Sequence, residues 1–208
     1  MREELVVIGA GGHAKVVIAT ALAAGWTVGG VVDDDPQVWG RTILGYEITG
    51  PVSRASDLGR AGIIAVGNNH TRRVLAERGT LGWATVVHPD AVIHPSVCLG
   101  EGTVVFAGTV IQPDTVVGVH SIVNTGASVD HDCLLGDFVH IAPGVRLAGG
   151  VRLGEGVLMG IGSCALPMVN LGSWSIIGGG AVVVGNLPAN VTVVGVPARV
   201  VTLENCRE

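Results

Sequence analysis

Charge and aromatic rings are scarce in this chain of 208 residues: charged residues make up 14% and aromatic residues 3%. The net charge is −5 and no basic run occurs, which argues against a nucleic-acid surface. Hydrophobic residues reach 48%. Yet no stretch approaches the ~18 uninterrupted apolar residues of a spanning helix. The opening MREELVVIGAGG places two glutamates before a short apolar run, unlike a secretory signal. A soluble, cytoplasmic protein is expected, with no membrane and no nucleic-acid partner. The four cysteines, Cys98, Cys133, Cys164 and Cys206, show no CxxC spacing, so free buried thiols are expected rather than disulfides or zinc.

Glycine is abundant, with 33 residues spread along the chain, and glycine at that density marks many turns. Two regimes follow one another. Eight of the twelve basic residues lie before residue 80. There LVVI (5–8), TVGGVVD (27–33) and GIIAVG (62–67) read as strands. Helical stretches fall from about His13 to Ala24, over Ser53–Gly59, and from Asn68 to a stop at Gly79. Such alternation implies a small parallel sheet covered by helices.

From Val87 the period becomes six. The first residues of successive hexads run Val87, Ile93, Leu99, Val105 and so on to Val183, and fifteen of these seventeen are Leu, Ile or Val. No insertion breaks the frame, so chance is a poor explanation. Three hexads make one triangular coil, and stacked coils bury the aliphatic column. Seventeen hexads give between five and six coils. The expected architecture is an α/β Rossmann-like domain over residues 1–83, then a hexapeptide-repeat parallel β-helix over 84–208.

GAGGHAKV (9–16) joins the first strand to the first helix. Gly9, Gly11 and Ala14 fit G-x-G-x-x-A, a turn whose bare backbone and helix N-terminus receive phosphate. The acidic run Asp33-Asp34-Asp35 closes strand two, where a ribose-binding acid would stand. About 80 residues amount to roughly one mononucleotide half of a dinucleotide fold, which suits a nucleotide sugar better than NAD. His13 beside the glycines, and Gly67 and Asn68 at the end of strand three, are further ligand candidates.

Five histidines fall in the repeat region: His88, His94, His120, His131 and His140. Stacked metal ligands would sit 18 residues apart, and no pair does, so no metal is expected. His88 and His94 each precede Pro and read as turn-edge structure. His131 is the third residue of its hexad, at a turn, flanked by Asp130 and Asp132. A carboxylate in reach would fix its tautomer and raise its basicity. A solvated acidic turn accounts for the same spacing equally well. Cys133 falls at an inward hexad position, which makes it a poor nucleophile. His140, nine residues on, is placed near the same edge.

Over nearly its full length the chain resembles the nucleotide-sugar acyltransferases of the PglD/NeuD type. The matching pieces are VVIGAGGHAKVV (6–17), VVDDD (31–35), AVGNN (65–69), NTGASVDHDCLLGDFVHIAPG (124–144), MGIGSCALP (159–167), IIGGGAVV (176–183) and GVPAR (195–199). The resemblance implies a left-handed β-helix and a typical homotrimer with acetyl-CoA between adjacent prisms. It implies His131 as general base, Asp132 (Glu in some relatives) as the acid that strengthens it, and the Gly149 N–H as oxyanion donor. His140, Ile161 and Gly179 would line the acetyl-CoA site. Gly11, Gly12, His13, Asp33, Asp34, Gly67 and Asn68 would hold the nucleotide sugar. The implied reaction is acetyl-CoA-dependent acetylation of the 4-amino group of a UDP- or GDP-linked amino-deoxy sugar. A sugar O-acetyltransferase of the sialic-acid type, a metal-dependent hydratase and a non-catalytic nucleotide-sugar sensor are the competing expectations.

Overall fold

A computed structural model describes residues 4–79 and 81–201. Strand β1 (Glu4–Ile8) leads through the glycine turn to helix α1 (Gly12–Ala23) and strand β2 (Thr27–Val32). A small hairpin of β3 (Thr42–Ile43) and β4 (Tyr46–Glu47) follows. Next come α2 (Ala55–Leu58), β5 (Ala61–Ile64), α3 (Asn69–Glu77) and β6 (Gly82–Trp83). The sheet order is β2-β1-β5-β6, with all pairings parallel. The chain crosses from one side of β1 to the other, so ligand-binding loops gather at the carboxyl ends of β1 and β5.

Beyond β6 the chain is a left-handed parallel β-helix of two-residue strands. Each strand holds the last residue of one hexad and the first of the next, as in His140–Ile141. The first-position side chains point inward: Val105, Ile111, Val117, Val123, Val129, Leu135 and Ile141 form one buried column. Val87, Ile93 and Leu99 are only partly buried, because no coil covers the first turn. Small polar fifth-position residues tie the coils. The hydroxyls of Thr103, Thr109, Thr115 and Ser121 donate to Gly118, Asn124, Asp130 and Gly136 carbonyls in the next coil. Cys133 belongs to this row, its Sγ 3.3 Å from the Ala148 carbonyl. Among the described cysteines only Cys133 is buried; Cys98 is exposed and Cys164 half-buried, against the expectation of buried thiols. Cys206 lies outside the described residues.

The fourth position of the hexad is left-handed throughout, from Gly102 (φ 71°) to Gly180 (φ 67°). Glycine occupies most of these positions at no steric cost. Asp114, His120, Asp132, Phe138, Met168 and Trp174 take the same conformation with side chains. In the opening coil, His88 Nδ1 accepts from Asp90 N (3.1 Å) and His94 Nδ1 from Ser96 N (3.2 Å), so both histidines serve turns.

The coil count exceeds the expected five to six. The first face carries seven parallel strands, eight in that sheet less the antiparallel Arg199–Val200. The chain continues past Val183 with a shortened repeat. Ile176 pairs with Thr192, and Asn170 meets Asn186 16 residues on, where earlier coils repeat at 18. The deletion hides this last coil from a strict hexad frame.

The two domains share a core. Helix α1 sets Ala14, Val17, Ile18 and Ala21 in one apolar cluster with Val86, Val104, Phe106 and Ile122 of the prism's first face. Arg72 on α3 is 1% exposed at this junction. Its guanidinium donates to the His120 (2.7 Å) and Phe138 (2.7 Å) carbonyls of the prism and to Val66 O, Gly67 O and Asn69 Oδ1 of its own domain. Burial lowers its pKa to about 9, which leaves it charged at neutral pH.

His13, His120 and His140 surround this cation. Burial, and then the Arg72 charge, lower each from 6.5 to about 4. Their folded pKa lies below the unfolded value, so across that window the unfolded chain binds more protons. The stability they contribute is present above pH 6.5 and is lost as pH falls toward about 4. His120→Phe should flatten the pH dependence of the urea unfolding free energy in this window by about one proton. An unchanged slope would show that His120 titrates normally in the folded chain.

Candidate active site

His131 stands at the corner between strands Ser128–Val129 and Leu134–Leu135. The turn is pinned from both neighbouring coils. Asp132 N donates to Pro113 O (3.1 Å), and Gly150 N donates to His131 O (2.9 Å). Asp130 Oδ1 accepts from His131 N at 2.9 Å, which fixes the backbone entering the corner. The left-handed φ of 59° at Asp132 turns its carboxylate back onto the ring, and Oδ2 lies 2.7 Å from His131 Nδ1. An ionised carboxylate accepts the Nδ1 proton, leaving Nε2 as the free base nitrogen. This hydrogen bond, with the Asp130 charge behind it, raises the imidazole pKa above its ordinary value.

Gly149 faces Nε2. A Cβ there would lie 2.6 Å from His131 Nε2, so only glycine leaves room for the ring. The Gly149 carbonyl accepts from Met168 N (3.0 Å), while its N–H donates no hydrogen bond among the described residues. His131, Asp132, Gly149, Arg152, Pro167 and Met168 border an open groove of about 530 Å³. Ala148, Pro167 and Met168 form its apolar wall. Cys133 is buried, and burial pushes its thiol pKa up, which removes it as a nucleophile.

The other expected residues fall in two further places. Ile161 and Gly179 meet on the corner after the first face: a Cβ on Gly179 would lie 3.2 Å from Ile161 Cγ2, and Ile161 is 65% exposed. His140 does not share the His131 edge. It sits on the first face under the N-terminal sheet, with Nδ1 3.1 Å from Gly67 O and Nε2 3.3 Å from Asn124 Nδ2. The carbonyl requires Nδ1–H, and Nε2 then accepts from the Asn124 amide. Nine residues, half a coil, carry the chain from the His131 corner past the Leu134–Leu135 strand, which places His140 on the first face.

At the carboxyl edge of the sheet, Gly11 is the N-cap of α1, and neither Gly11 nor Gly12 has an atom within 4 Å of a Cβ position. That backbone is open to a ligand. His13 packs edge-on to Phe106 and 6.1 Å from His140, so it faces the prism. The acids part company. Asp33 Oδ2 accepts from Ala10 N (2.7 Å) and holds the glycine loop. Asp34 instead binds Val52 N (2.9 Å) and Arg78 Nη1 (3.1 Å) beside a second cavity of about 300 Å³ with Ser53 and Ser56. Asn68 Oδ1 caps α3 by accepting from Thr71 N (2.9 Å). Sequence reasoning missed Arg72 and Arg152. Arg152 follows Gly149 by three residues, and an 18-residue step from Leu134, in the strand after the His131 corner, leads to it.

Fold and groove together define a hexapeptide-repeat acyltransferase with an added Rossmann-like domain. The family described as "PglD N-terminal domain" matches residues 4–78. PerB from Caulobacter crescentus, solved with CoA and GDP-perosamine, is 40% identical, with 96% of this chain and 97% of that chain covered and a TM-score of 0.90. The acetyltransferase domain of PglB from Neisseria gonorrhoeae, solved with acetyl coenzyme A, is 40% identical over 97% and 100% of the two chains, with a TM-score of 0.90. WeeI from Acinetobacter baumannii is 28% identical over 95% and 99%, with a TM-score of 0.86. A search of curated proteins finds no match. The chain belongs to the PglD/NeuD-type family of acetyl-CoA-dependent nucleotide-sugar N-acetyltransferases. Among the described residues no helix is long and apolar enough to cross a membrane, and no group of three or more His, Cys, Asp and Glu is placed to hold a metal ion.

Asp132→Asn keeps a residue that tolerates the left-handed turn but removes the charge. The His131 pKa, followed by NMR titration of its ring protons, should fall; a value unmoved by the substitution would detach Asp132 from the base.

Proposed function

We propose that the chain transfers the acetyl group of acetyl-CoA to the 4-amino group of a UDP- or GDP-linked amino-deoxy sugar, with His131 as general base. The observation that carries this reading is the Asp132–His131 contact at 2.7 Å, with Nε2 aimed at the Gly149 turn in an open groove. The sugar nitrogen attacks the thioester carbon while Nε2 takes its proton. The oxyanion meets the Gly149 N–H, a contribution of about 3 kcal/mol for one such donor. The C–S bond then breaks, and the imidazolium returns its proton to the departing thiolate. Asp132 keeps the ring in the tautomer that leaves Nε2 unprotonated and stabilises the imidazolium that forms.

The nucleotide sugar lies over Gly11, Gly12 and His13, with Asp33 and Gly67 shaping the loops and Asn68 and Asp34 at the margin. The bare backbone at the α1 N-terminus supports a diphosphate there. We assign residues 1–83 to sugar-nucleotide binding and 84–208 to transfer. His131 occupies one prism corner, while Ile161 and Gly179 occupy another. One chain therefore does not complete the pocket, and adjacent prisms of a cytoplasmic homotrimer do. Acetyl-CoA runs in the cleft between His131 of one prism and the Ile161 corner of the next, with His140 behind it.

GDP-perosamine, the ligand of the Caulobacter relative, is the first compound to test, followed by UDP-linked 4-amino sugars and sialic acid. Release of CoA thiol with a product heavier by one acetyl group is expected from an amino sugar alone. Transfer only to a hydroxyl acceptor would move the assignment to O-acetylation. His131→Ala should lower kcat by about 10²-fold or more with an unchanged melting temperature. Gly149→Ala, which crowds Nε2, should also lower kcat. Near-normal turnover of His131→Ala would remove it from the mechanism.

A further inference from the structure

Arg152 opens strand Arg152–Leu153 on the third face of the prism. Leu153 fills the core at 4% exposure, so Arg152 projects outward. Its register partners are Leu134 in the coil above and Asn170 in the coil below, neither of them charged. Among the described residues its guanidinium makes no ion pair and no hydrogen bond. Arg73 and Arg78 are ion-paired, and Arg72, Arg146 and Arg199 donate to carbonyls. Arg152 borders the groove that holds His131 and Gly149. The acids nearest in that groove are committed elsewhere: Asp132 to His131 Nδ1, and Asp130 to His131 N. A fork of five N–H donors thus stands uncompensated beside the base, in the geometry that receives phosphate.

We propose that Arg152 is a specificity-determining residue that clamps a substrate phosphate during acetyl transfer. The inference rests on the transfer reading given above. Both substrates of that reaction carry phosphates, whereas the reacting amine and thioester carry none. On the sugar, the 4-amino group and the anomeric phosphate lie on opposite sides of one ring. Arg152 lines the same groove as the turn that presents Nε2, at the start of the strand that follows Gly149. The first face of the prism packs against the N-terminal domain, whereas Arg152 on the third face is exposed.

The test varies acetyl-CoA and GDP-perosamine one at a time with wild type, R152A, R152K and H131A. R152A should raise the KM for one substrate about tenfold or more, with kcat within about threefold, since a charge-assisted clamp is lost. R152K should recover part of the loss. A rise confined to GDP-perosamine assigns the phosphate to the nucleotide sugar. A rise confined to acetyl-CoA assigns it to CoA, and S-acetylpantetheine, which lacks phosphate, should then serve R152A and wild type alike. Added salt should raise the affected KM more in wild type than in R152A. Calorimetric titration with CoA and with GDP reads binding independently of turnover. Unchanged KM and Kd for both ligands, or a loss in kcat alone, overturns the assignment. Inactive H131A beside normal R152A sinks the Arg152 assignment and leaves the transferase standing. A wild type that neither binds nor turns over any of these ligands overturns both.

Discussion

The buried Arg72 guanidinium is the constraint on which the arrangement of the two domains depends. A buried charge needs hydrogen-bonding partners on most of its donors, or it is strongly destabilising. Here the partners are backbone carbonyls of two prism turns, at His120 and Phe138, and of the loop after β5, at Val66 and Gly67. No rotation of one domain against the other keeps all of them. The Val66–Gly67 loop at the carboxyl edge of the sheet is therefore fixed to the prism by the same group. His140 reinforces the link by donating to Gly67 O, and Asn69 adds a bond to Gly156 O at 2.9 Å. Burial, and then the positive charge at the junction, disfavour the charged forms of His13 and His140.

The prism adds a constraint of another kind. Every coil must turn at the same hexad position, and the fourth residue is left-handed from Gly102 to Gly180. Glycine is the easy solution. Where another residue stands there, its side chain projects from the corner at an angle set by the backbone. Asp132 uses that angle to reach His131. The general position in the repeat thus supplies the geometry, and the choice of Asp supplies the chemistry. Gly149, one coil on, is needed for space rather than for its φ, because the imidazole lies against it.

The prism was legible in the sequence because its core obeys a strict period: Val105, Ile111 and Val117 repeat with no insertion, and each is buried. The final coil was not, because it is two residues short between Asn170 and Asn186. The strands, helices and glycine turn of the first domain were legible from local pattern, since β1, α1 and α3 each begin and end on residues that favour those boundaries. The corner at His131 followed from its place in the hexad. Arg72 was silent, because its bonds to His120 and Phe138 span 48 and 66 residues and no local pattern encodes them. His140 was misplaced for a related reason. Nine residues of β-helix cross from one corner past the Leu134–Leu135 strand to the first face, and the partner that defines the position of His140, Gly67, lies in the other domain.

Four histidines with the same side chain are sorted by two variables, exposure and the sign of the nearest charge. His120 is buried and His13 and His140 are half-buried near a cation, and all three are held near 4. His131 is 60% exposed in its side chain and touches an anion, and its pKa moves up. A general base must gain a proton during the reaction and lose it afterwards near neutral pH. At the other three rings burial, and then the Arg72 charge, disfavour the protonated form. Among these four, only the His131 corner combines solvent exposure with a carboxylate that favours the imidazolium. Exposure has a cost, since water competes for the acetyl thioester. A second prism closing over the groove would remove that water while leaving the Asp132 contact, which is internal to one chain, unchanged.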